Sequence, residues 1–422
     1  MIDAQFHRER KSLYSQVPYF FPDLYDVEYA LLDIHKKTQA EVRDIRVAAE
    51  KVGTIFVKVA PLLRDLDDET LLQLGFPKES LAYCRIKTIP QEYIIGRLDF
   101  IVSNSEIKLL EFNSDTPTFI KETFDANDYV CDYFGLQNPN KSSIDILRGE
   151  MRKAVAASWK HLNKPGTPKI VFTSHGDNFE DMWTTRYLQE HLELPSEYVS
   201  LDQLKILTES VDVDGVVTEP GLFTPSGERV DILYRQTYPI EHLVNDIEPA
   251  THENVGQELI KLIVENKVMV INPPSAFLLQ SKAVQALIWA LHEDGKYFTE
   301  DEHTIINQYF LPTYLEPDEF LKTNRAYVRK PSFGREGDTV EIFNGLGETI
   351  NAEPQQTYGD TLPVYQAFYP LPEATVQTTT GEKQLHLMYG CFLINNKAGA
   401  IGIRAGGVIT NNLSYFLPVG IE

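Results

Sequence analysis

Apolar residues recur at helical spacing in the first half of the chain. The range 25–66 is predicted to be helical, because its apolar positions fall on one face: Ala30, Leu31, Ile34, His35, Ile45, Ala48, Ala49 and Val52. Two more helices are predicted over 143–162, which ends before a Pro-Gly pair, and over 179–191. Helices therefore account for much of the N-terminal half.

Short apolar runs bounded by turn residues predict strands. They lie within 83–113 and at 169–173, 216–218, 231–235 and 268–272. Because strands alternate with helical patterns from about 166 to 272, that part is predicted to be a small α/β unit. The chain from 327 onwards is strand-dominated and glycine-rich near its end. We predict three segments of an α/β (α+β) protein, at 1–165, 166–272 and 273–422.

Composition limits the classes of function. The 422 residues are 43% hydrophobic, enough for a large core, and the formal net charge is −22. An acidic surface disfavours nucleic acid and anionic membranes and suits a cationic small molecule. The cysteines, Cys84, Cys131 and Cys391, are widely spaced, which disfavours a disulfide framework or a zinc site. Without a signal-peptide core or a long apolar run, we expect a cytoplasmic protein with no membrane partner.

A polar cluster follows from the two-residue spacing in two neighbouring predicted strands. Arg97 and Asp99 project from one face of the first strand, and Glu111 and Asn113 repeat the spacing on the second. The turn-rich link at 103–106 suits a hairpin. Asp99, Glu111 and Asn113 would then meet as hard oxygen ligands for Mg²⁺ beside substrate phosphates. The alternative is a cross-strand salt bridge on a solvated sheet face.

Two lysines lie in settings that suit phosphate binding. Lys330 stands at the end of an apolar strand and precedes a loop with Gly334 and Gly337. Lys282 stands in the first turn of an apolar helix, where the helix dipole favours an anion over a cation. This mismatch indicates that Lys282 is held there for a ligand. For Lys330 the alternative is an ordinary β-hairpin with an exposed lysine. For Lys282 it is an isolated mismatch between the charge and the helix dipole.

Polar residues after strands of the small α/β unit are candidate substrate contacts. Open α/β sheets bind ligands at the carboxyl ends of their strands, which favours Glu180 and Arg235 as groups that meet an acid or an amine. Surface charge on a loop is the alternative. Ser174-His175-Gly176-Asp177 lacks the surrounding pattern of a hydrolase elbow.

Together these motifs resemble, in order, the synthetase portion of the glutathionylspermidine synthase family, a branch of the ATP-grasp ligases. The resemblance extends from about Arg97 to Arg404. It implies an ATP-grasp fold, with 166–272 as a small inserted pre-ATP-grasp substrate unit and 273–422 as the nucleotide-binding region with a glycine-loop lid. It also implies a chain without the amidase domain of the bifunctional members.

The resemblance also implies roles for individual residues. Arg97 would be catalytic, and Asp99, Glu111 and Asn113 would bind Mg²⁺. Besides Arg97, the residues implied to contact ATP are Lys282, Lys330, Glu336, Gly337 and the hinge run Gln366, Ala367, Phe368 and Tyr369. Thr116 would contact a thiol peptide, and Arg404 would contact the acid substrate.

The predicted activity is ATP-dependent ligation of a carboxylic acid to an amine through an acylphosphate. ATP and Mg²⁺ are the expected cofactors, a glutathione-like peptide the acid and a polyamine the amine. The alternatives are a kinase-type phosphotransferase and a catalytically silent ATP-binding protein on the same fold. Release of ADP that depends on an amine would separate the ligase from the kinase.

Overall fold

The computed structural model describes residues 4–24, 26–103 and 106–422. Its helices are α1 Ala4–Tyr14, α2 Gln39–Asp65, α3 Asp68–Gln73, α4 Leu81–Arg85, α5 Asn127–Phe134, α6 Ser143–Leu162, α7 Phe179–Leu192, α8 Ile240–Leu243, α9 Val255–Val264, α10 Pro274–Gln280, α11 Ala283–Asp294, α12 Glu300–Tyr309 and α13 Asp318–Lys322. Its strands in the first half are β1 Asp23–Leu24, β2 Val27–Glu28, β3 His35–Lys37, β4 Ile95–Val102, β5 Ile107–Asn113, β6 Ile170–Ser174, β7 Glu197–Tyr198, β8 Lys205–Leu207, β9 Val211–Val213 and β10 Val216–Thr218. The remaining strands are β11 Gly221–Phe223, β12 Ile232–Gln236, β13 Met269–Ile271, β14 Thr313–Tyr314, β15 Tyr327–Pro331, β16 Glu341–Phe343, β17 Thr349–Ala352, β18 Pro363–Ala367, β19 Glu373–Thr378, β20 Gly381–Ile394, β21 Lys397–Gly406, β22 Tyr415–Leu417 and β23 Val419–Ile421.

A six-stranded antiparallel sheet forms the centre of the molecule, in the order β22-β21-β20-β4-β5, with β19 also paired to β20. Helix α2 packs on β20 and β21, and its apolar face is fully buried. That helix begins at a capping box, because Thr38 and Glu41 exchange side-chain and backbone hydrogen bonds. The central sheet thus has an apolar face under α2 and carries charged side chains elsewhere.

A second antiparallel sheet, in the order β14-β18-β15-β16-β17, lies against the first. The two sheets enclose a cavity lined by side chains of both, including Leu110 and Met388 from the first and Val328 and Ile342 from the second. The strand-dominated pattern predicted from 327 onwards is confirmed.

The third sheet is parallel, in the order β13-β12-β6-β7, with α7 following β6. It lies within the segment predicted to be a small α/β unit; the segment bounds themselves stay a prediction. Asn272, just after β13, joins this sheet to the central one. Its Oδ1 accepts hydrogen bonds from the amides of Ile94 and Ile95, and its Nδ2 donates to the carbonyls of Ser114 and Asp115, all at 2.9 Å.

The predicted helix over 25–66 is wrong in its first third. Residue 25 lies outside the described residues, β2 and β3 occupy part of 26–38, and the helix begins at Gln39. The backbone there pairs with the C-terminal end of the chain instead. The amide of Leu31 donates to the carbonyl of Phe416 at 3.0 Å, and β3 pairs with β23. Helical spacing over a few residues is therefore overridden by strand partners almost 400 positions away.

Two further expectations about local structure need correction. The strand-rich range 83–113 begins in helix α4, and its first strand starts only at Ile95. Strand β10 pairs with β9 in a separate hairpin instead of joining the parallel sheet, and Val216 and Val217 are exposed. The helix predicted over 143–162 is α6, with the same ends. In the described parts of the chain no helix combines the length and apolar character needed to cross a membrane.

Candidate active site

The predicted cluster on β4 and β5 is present. The two strands pair so that Arg97 lies opposite Asn113 and Asp99 lies opposite Glu111. The hairpin link predicted at 103–106 includes residues 104 and 105, which lie outside the described residues. Because the facing residues share one side of the sheet, the four polar side chains form the floor of a cleft, which we call the polar cleft.

Arg97 and Asp99 form a buried ion pair. The Nε and Nη2 atoms of Arg97 donate to the two carboxylate oxygens of Asp99 at 2.7 and 2.8 Å. The Nη1 atom donates to the carbonyl of Thr118 at 2.9 Å. Both side chains are at most 5% exposed. Arg97 is thus fixed in orientation at the edge of the cleft.

Asn113 links the two carboxylates of the cleft. Its Nδ2 lies 3.0 Å from Oδ2 of Asp99 and 3.1 Å from Oε1 of Glu111. The other oxygen of Glu111 lies 3.1 Å from Nζ of Lys282. Burial alone would raise the pKa of Glu111, but the ammonium groups of Lys282 and Lys330 outweigh it and lower this pKa to about 2. Glu111 is therefore ionised at any physiological pH.

The two lysines approach this floor from different elements. Lys282 immediately precedes α11, and its Nζ donates to the carbonyl of Gly334 at 3.1 Å. Lys330 lies on β15 and donates to Oε1 of Gln366 at 2.7 Å. Burial lowers the pKa of Lys330 to about 8. Both ammonium groups line the cavity between the two antiparallel sheets, which we call the inter-sheet cavity.

The loop after β15 covers the junction of the polar cleft and the inter-sheet cavity. Gly337 has a φ of +73°, and a Cβ there would lie 2.5 Å from the carbonyl oxygen of Thr410, so only glycine fits. Arg335 and Glu336 line both spaces. The guanidinium of Arg335 forms no hydrogen bond or ion pair with any other residue that the structure describes. Its charge acts on nearby groups, Asp181 among them, without a direct contact.

The inter-sheet cavity has the apolar walls expected for a flat aromatic ring. The hinge run after β18 contributes Ala367, Phe368 and Tyr369, and Gln366 lies at its start. Other residues line the same space: Leu110, Val328, Ile342, Leu371, Met388 and Ile409. The side chain of Gln366 is 2% exposed and points into the wall. The predicted hinge therefore lines a slot that leads to the two lysines.

A third space, the outer cavity, opens from the polar cleft and shares Thr118, Arg335, Glu336 and Arg404 with it. It is rich in carboxylates and aromatic rings, contributed by Phe21, Asp23, Tyr29, Asp177, Phe179, Glu180, Asp181 and Tyr238. Glu180 is exposed at its wall, whereas Asp181 is only 7% exposed. The Asp181 carboxylate has no hydrogen-bond donor or ion-pair partner in the described parts of the chain. Burial raises its pKa to about 6.

The remaining predicted substrate contacts differ in placement. Thr116 lies in the polar cleft, and Arg404 on β21 lies between that cleft and the outer cavity. Arg235 is not presented to any of these spaces. It is 2% exposed, and its guanidinium forms a buried ion pair with Asp115. Its role as a substrate contact stays a prediction, because in the structure its charge is met by Asp115 outside these three spaces.

Three features of the site were missed by sequence reasoning. Arg335 lies inside a motif that was noted for its glycines, and its charge between two glycines was a usable signal. Asp181 directly follows the predicted residue Glu180, and its lower exposure is visible only in the folded structure. The outer cavity is lined in part by Phe21, Asp23 and Tyr29 of the N-terminal segment. Nothing in their local sequence indicates that role, because it depends on tertiary contact.

Comparison with known proteins gives a consistent result. The family model for the glutathionylspermidine synthase pre-ATP-grasp region matches residues 7–422. An inferred acid–amine ligase of Haemophilus influenzae is 23% identical over 335 residues, which are 78% of this chain and 74% of that protein. The bifunctional glutathionylspermidine synthetase/amidase of Escherichia coli is 21% identical over 321 residues, 73% of this chain. This alignment spans about half of the bifunctional enzyme, 47% of its length.

Among solved structures, a glutathione synthetase-like effector from Globodera pallida superposes with a TM-score of 0.61 at 11% sequence identity. The superposition covers 99% of this chain and 96% of the effector. At this identity the likeness concerns the fold alone. It agrees with the mixed α/β, ATP-grasp architecture that the motifs predicted.

Proposed function

The chain belongs to the glutathionylspermidine synthase family, and from this premise we propose that it is an ATP-dependent ligase that forms an amide from a peptide carboxylate and an amine through an acylphosphate. The observation that carries the proposal is the position of Arg97, Lys282 and Lys330. These three cations surround the Asp99–Glu111 floor where the inter-sheet cavity meets the polar cleft. Phosphate oxygens placed there would be neutralised on several sides.

The oxygen donors of the floor fit Mg²⁺. Two carboxylates and one carboxamide are hard ligands, and Mg²⁺ typically takes one or two carboxylates and completes its shell with water and phosphate oxygens. No group of three or more His, Cys, Asp or Glu side chains in the described residues could hold a metal by itself, which agrees with a metal shared with phosphates. Half a turn of the Asn113 amide would present its oxygen. When bound by Asp99, Glu111 and Asn113, Mg²⁺ would neutralise charge on the outer phosphates.

The proposed reaction has two steps. A carboxylate oxygen of the acid attacks the γ-phosphorus of ATP, and the bond between that phosphorus and the β,γ-bridging oxygen breaks. The products are the acylphosphate and ADP. The nitrogen of the amine then attacks the acyl carbon, loses a proton and expels phosphate. Lys330 and Lys282 would neutralise ATP phosphates in the ground state. Arg97 would donate to the oxygens whose charge grows in the transition state.

The loop at 334–337 would close this arrangement. Arg335 would contact the transferring phosphoryl group or the acid, and Glu336 and Gly337, which line the inter-sheet cavity, would border the nucleotide. An acylphosphate exposed to water is hydrolysed, so a cover over the cleft protects the intermediate. This loop is the glycine-loop lid that we propose for the nucleotide-binding region at 273–422.

For the substrates, we propose a glutathione-like peptide as the acid and a polyamine as the amine, in line with the name of the Escherichia coli relative. Arg404 and Thr116 would bind the peptide. The outer cavity would receive the amine, because the buried carboxylate of Asp181 forms no ion pair with a described residue, although the charge of Arg335 acts on it, and Glu180 adjoins it. In this proposal the small α/β unit at 166–272 supplies the substrate side of the site.

The test is a product analysis. The protein is incubated with ATP, Mg²⁺, glutathione and spermidine, and the mixture is analysed by mass spectrometry and for nucleotides and phosphate. We expect the amide, ADP and phosphate, with little ATP turnover when the amine is omitted. An absent amide with ADP release by other acid and amine pairs would remove only the substrate assignment. Formation of AMP, or of a stable phosphate ester, would overturn the ligase mechanism.

A further inference from the structure

The ammonium of Lys330 is held by the wall of the inter-sheet cavity before any nucleotide arrives. Its Nζ donates to Oε1 of Gln366 at 2.7 Å and lies 3.5 Å from the carbonyl oxygen of Leu110. An ammonium has three N–H bonds in fixed tetrahedral directions. Two of them are used on the wall, which leaves one for the space that Lys282 and Glu111 also line.

The oxygen of Gln366 faces Lys330 because its nitrogen is committed elsewhere. Nε2 of Gln366 lies 3.2 Å from Oε1 of Gln285 and 3.5 Å from the hydroxyl of Thr313. Gln285 in turn donates its own Nε2 to the carbonyl of Leu110 at 3.2 Å, and Thr313 donates to the carbonyl of Leu311 at 2.8 Å. Each of these partners presents an acceptor oxygen to the nitrogen of Gln366. If the amide were reversed, its own oxygen would face those oxygens, which is unfavourable.

Leu110 provides the fixed point of this network. The pairing of β4 with β5 shifts register after Asp99, because Glu111 pairs with Asp99 and Leu109 with Phe100, leaving Leu110 as an extra residue. Its carbonyl oxygen accepts from three side chains, those of Lys330, Gln285 and Gln366. Leu110 directly precedes Glu111. The network therefore connects the lysine of one sheet to the strand that bears the carboxylates of the other.

We propose that Gln366, supported by Gln285 and Thr313, is a positioning residue that aims the Lys330 ammonium at the phosphates of the nucleotide. This rests on the proposed function. Gln366 acts through Lys330, because its side chain is 2% exposed and both ends of its amide are occupied by protein groups. A lysine without this support would lose rotational freedom only on binding, which weakens its hold on phosphate.

The test compares two ligands by calorimetry in the presence of Mg²⁺. Gln366→Leu removes the amide, and we expect affinity for ATP to fall about 10-fold or more, whereas affinity for adenosine changes less than about 3-fold. Gln366→Met, which keeps the length of the side chain, covers the case in which leucine does not fit. Gln377→Leu is the control, because among the described residues its amide donates to the carbonyl of Thr378 alone, on a strand outside the three cavities. We expect it to bind both ligands as the wild type does.

A double-variant cycle decides whether Gln366 acts through Lys330. In the background of Lys330→Ala, adding Gln366→Leu should change affinity for ATP less than about 3-fold. Equal loss of ATP and adenosine binding, or full additivity with Lys330→Ala, would mean that Gln366 only supports the cavity wall, and would overturn the inference. If the wild type bound adenosine but Mg²⁺ did not strengthen its binding of ATP, the proposed function would be overturned as well.

Discussion

Arg97 binds Asp99 through two parallel hydrogen bonds, at 2.7 and 2.8 Å, so that the guanidinium pairs edge to edge with a carboxylate two residues away on the same strand. The pair is buried, and one N–H of Nη1 donates to the carbonyl of Thr118 at 2.9 Å. The cation is therefore oriented in the absence of substrate. Such preorganisation is what a group needs to stabilise charge that develops only in the transition state.

Replacement of Arg97 by lysine should lower kcat by about 10²–10³ with little change in the KM for ATP. Lysine keeps a positive charge beside Asp99, so folding is retained, but it loses the two-pronged geometry. Arg329→Lys is the control, because Arg329 pairs with Glu341 at 2.9 Å on the second antiparallel sheet. Steady-state kinetics measure both variants. An unchanged kcat with a raised KM for ATP would contradict the role assigned to Arg97.

Removal of Mg²⁺ should weaken ATP binding, and Glu111→Gln should abolish most of that dependence. The glutamine keeps the size of the side chain but removes a charge from the oxygen floor that holds the metal. Calorimetry with Mg²⁺ and with a chelator gives the comparison. We expect chelation to lower the affinity for ATP at least about 10-fold in the wild type and less than about 3-fold in Glu111→Gln. Glu341→Gln should behave like the wild type.

Breaking the Asp115–Arg235 pair should unfold the protein more readily. Asp115→Asn leaves the guanidinium of Arg235 buried without its counter-charge, which typically destabilises by about 3–5 kcal/mol. The double variant Asp115→Leu with Arg235→Met should recover much of the loss, since it removes both charges. Denaturant unfolding measures the difference. If Asp115→Asn were as stable as the wild type but bound the peptide more weakly, Arg235 would be a substrate contact after all.

Asp181 gives a prediction about pH. Its pKa is raised by burial to about 6, against about 3.9 in an unfolded chain. Between these values the folded state holds more protons than the unfolded one, so this group makes stability fall as pH rises. Asp181→Asn should therefore be more stable than the wild type at pH 7 and about equally stable at pH 4. Glu190→Gln, an exposed position on the same helix α7, should show no such crossover in thermal scans.

The same variant should bind spermidine less well. Loss of the Asp181 carboxylate removes a buried anion from the outer cavity, and we expect a decrease in affinity of about 10-fold, the effect typical of a lost charged hydrogen bond. Binding of ATP should stay within about 3-fold of the wild type. Calorimetry with each ligand separates the two effects. Equal spermidine affinity in both proteins would exclude the outer cavity as the amine site.

The parts of the site that sequence could predict are those determined within a short stretch of chain. The alternation of Arg97, Asp99, Glu111 and Asn113 needs only two adjacent strands, and the structure pairs them in that register. Lys330 at the end of β15 needs only a strand and a glycine loop. Such features follow from local backbone geometry.

The parts that sequence could not predict depend on distant contacts. Residues 26–38 carry a helical pattern but pair with β23 and with Phe416. Arg235 stands at a strand end, yet its charge is satisfied by Asp115, 120 positions earlier. Asp181 and Glu180 are neighbours in sequence, and only the folded structure shows that Asp181 is the less exposed of the two. In each case tertiary packing, which no local pattern encodes, decides the outcome.

The side chain of Asn272 fastens the parallel sheet to β4 and to the loop that carries Thr116. Recombination between members of the family is constrained as a result. We expect a chimera that exchanges 166–272 to keep its alignment with the β4–β5 floor of the polar cleft only if an asparagine occupies position 272, at the C-terminal end of the exchanged segment. Under the proposed function, substrate preference is therefore best changed at single residues of the outer cavity and not by transplanting the whole segment.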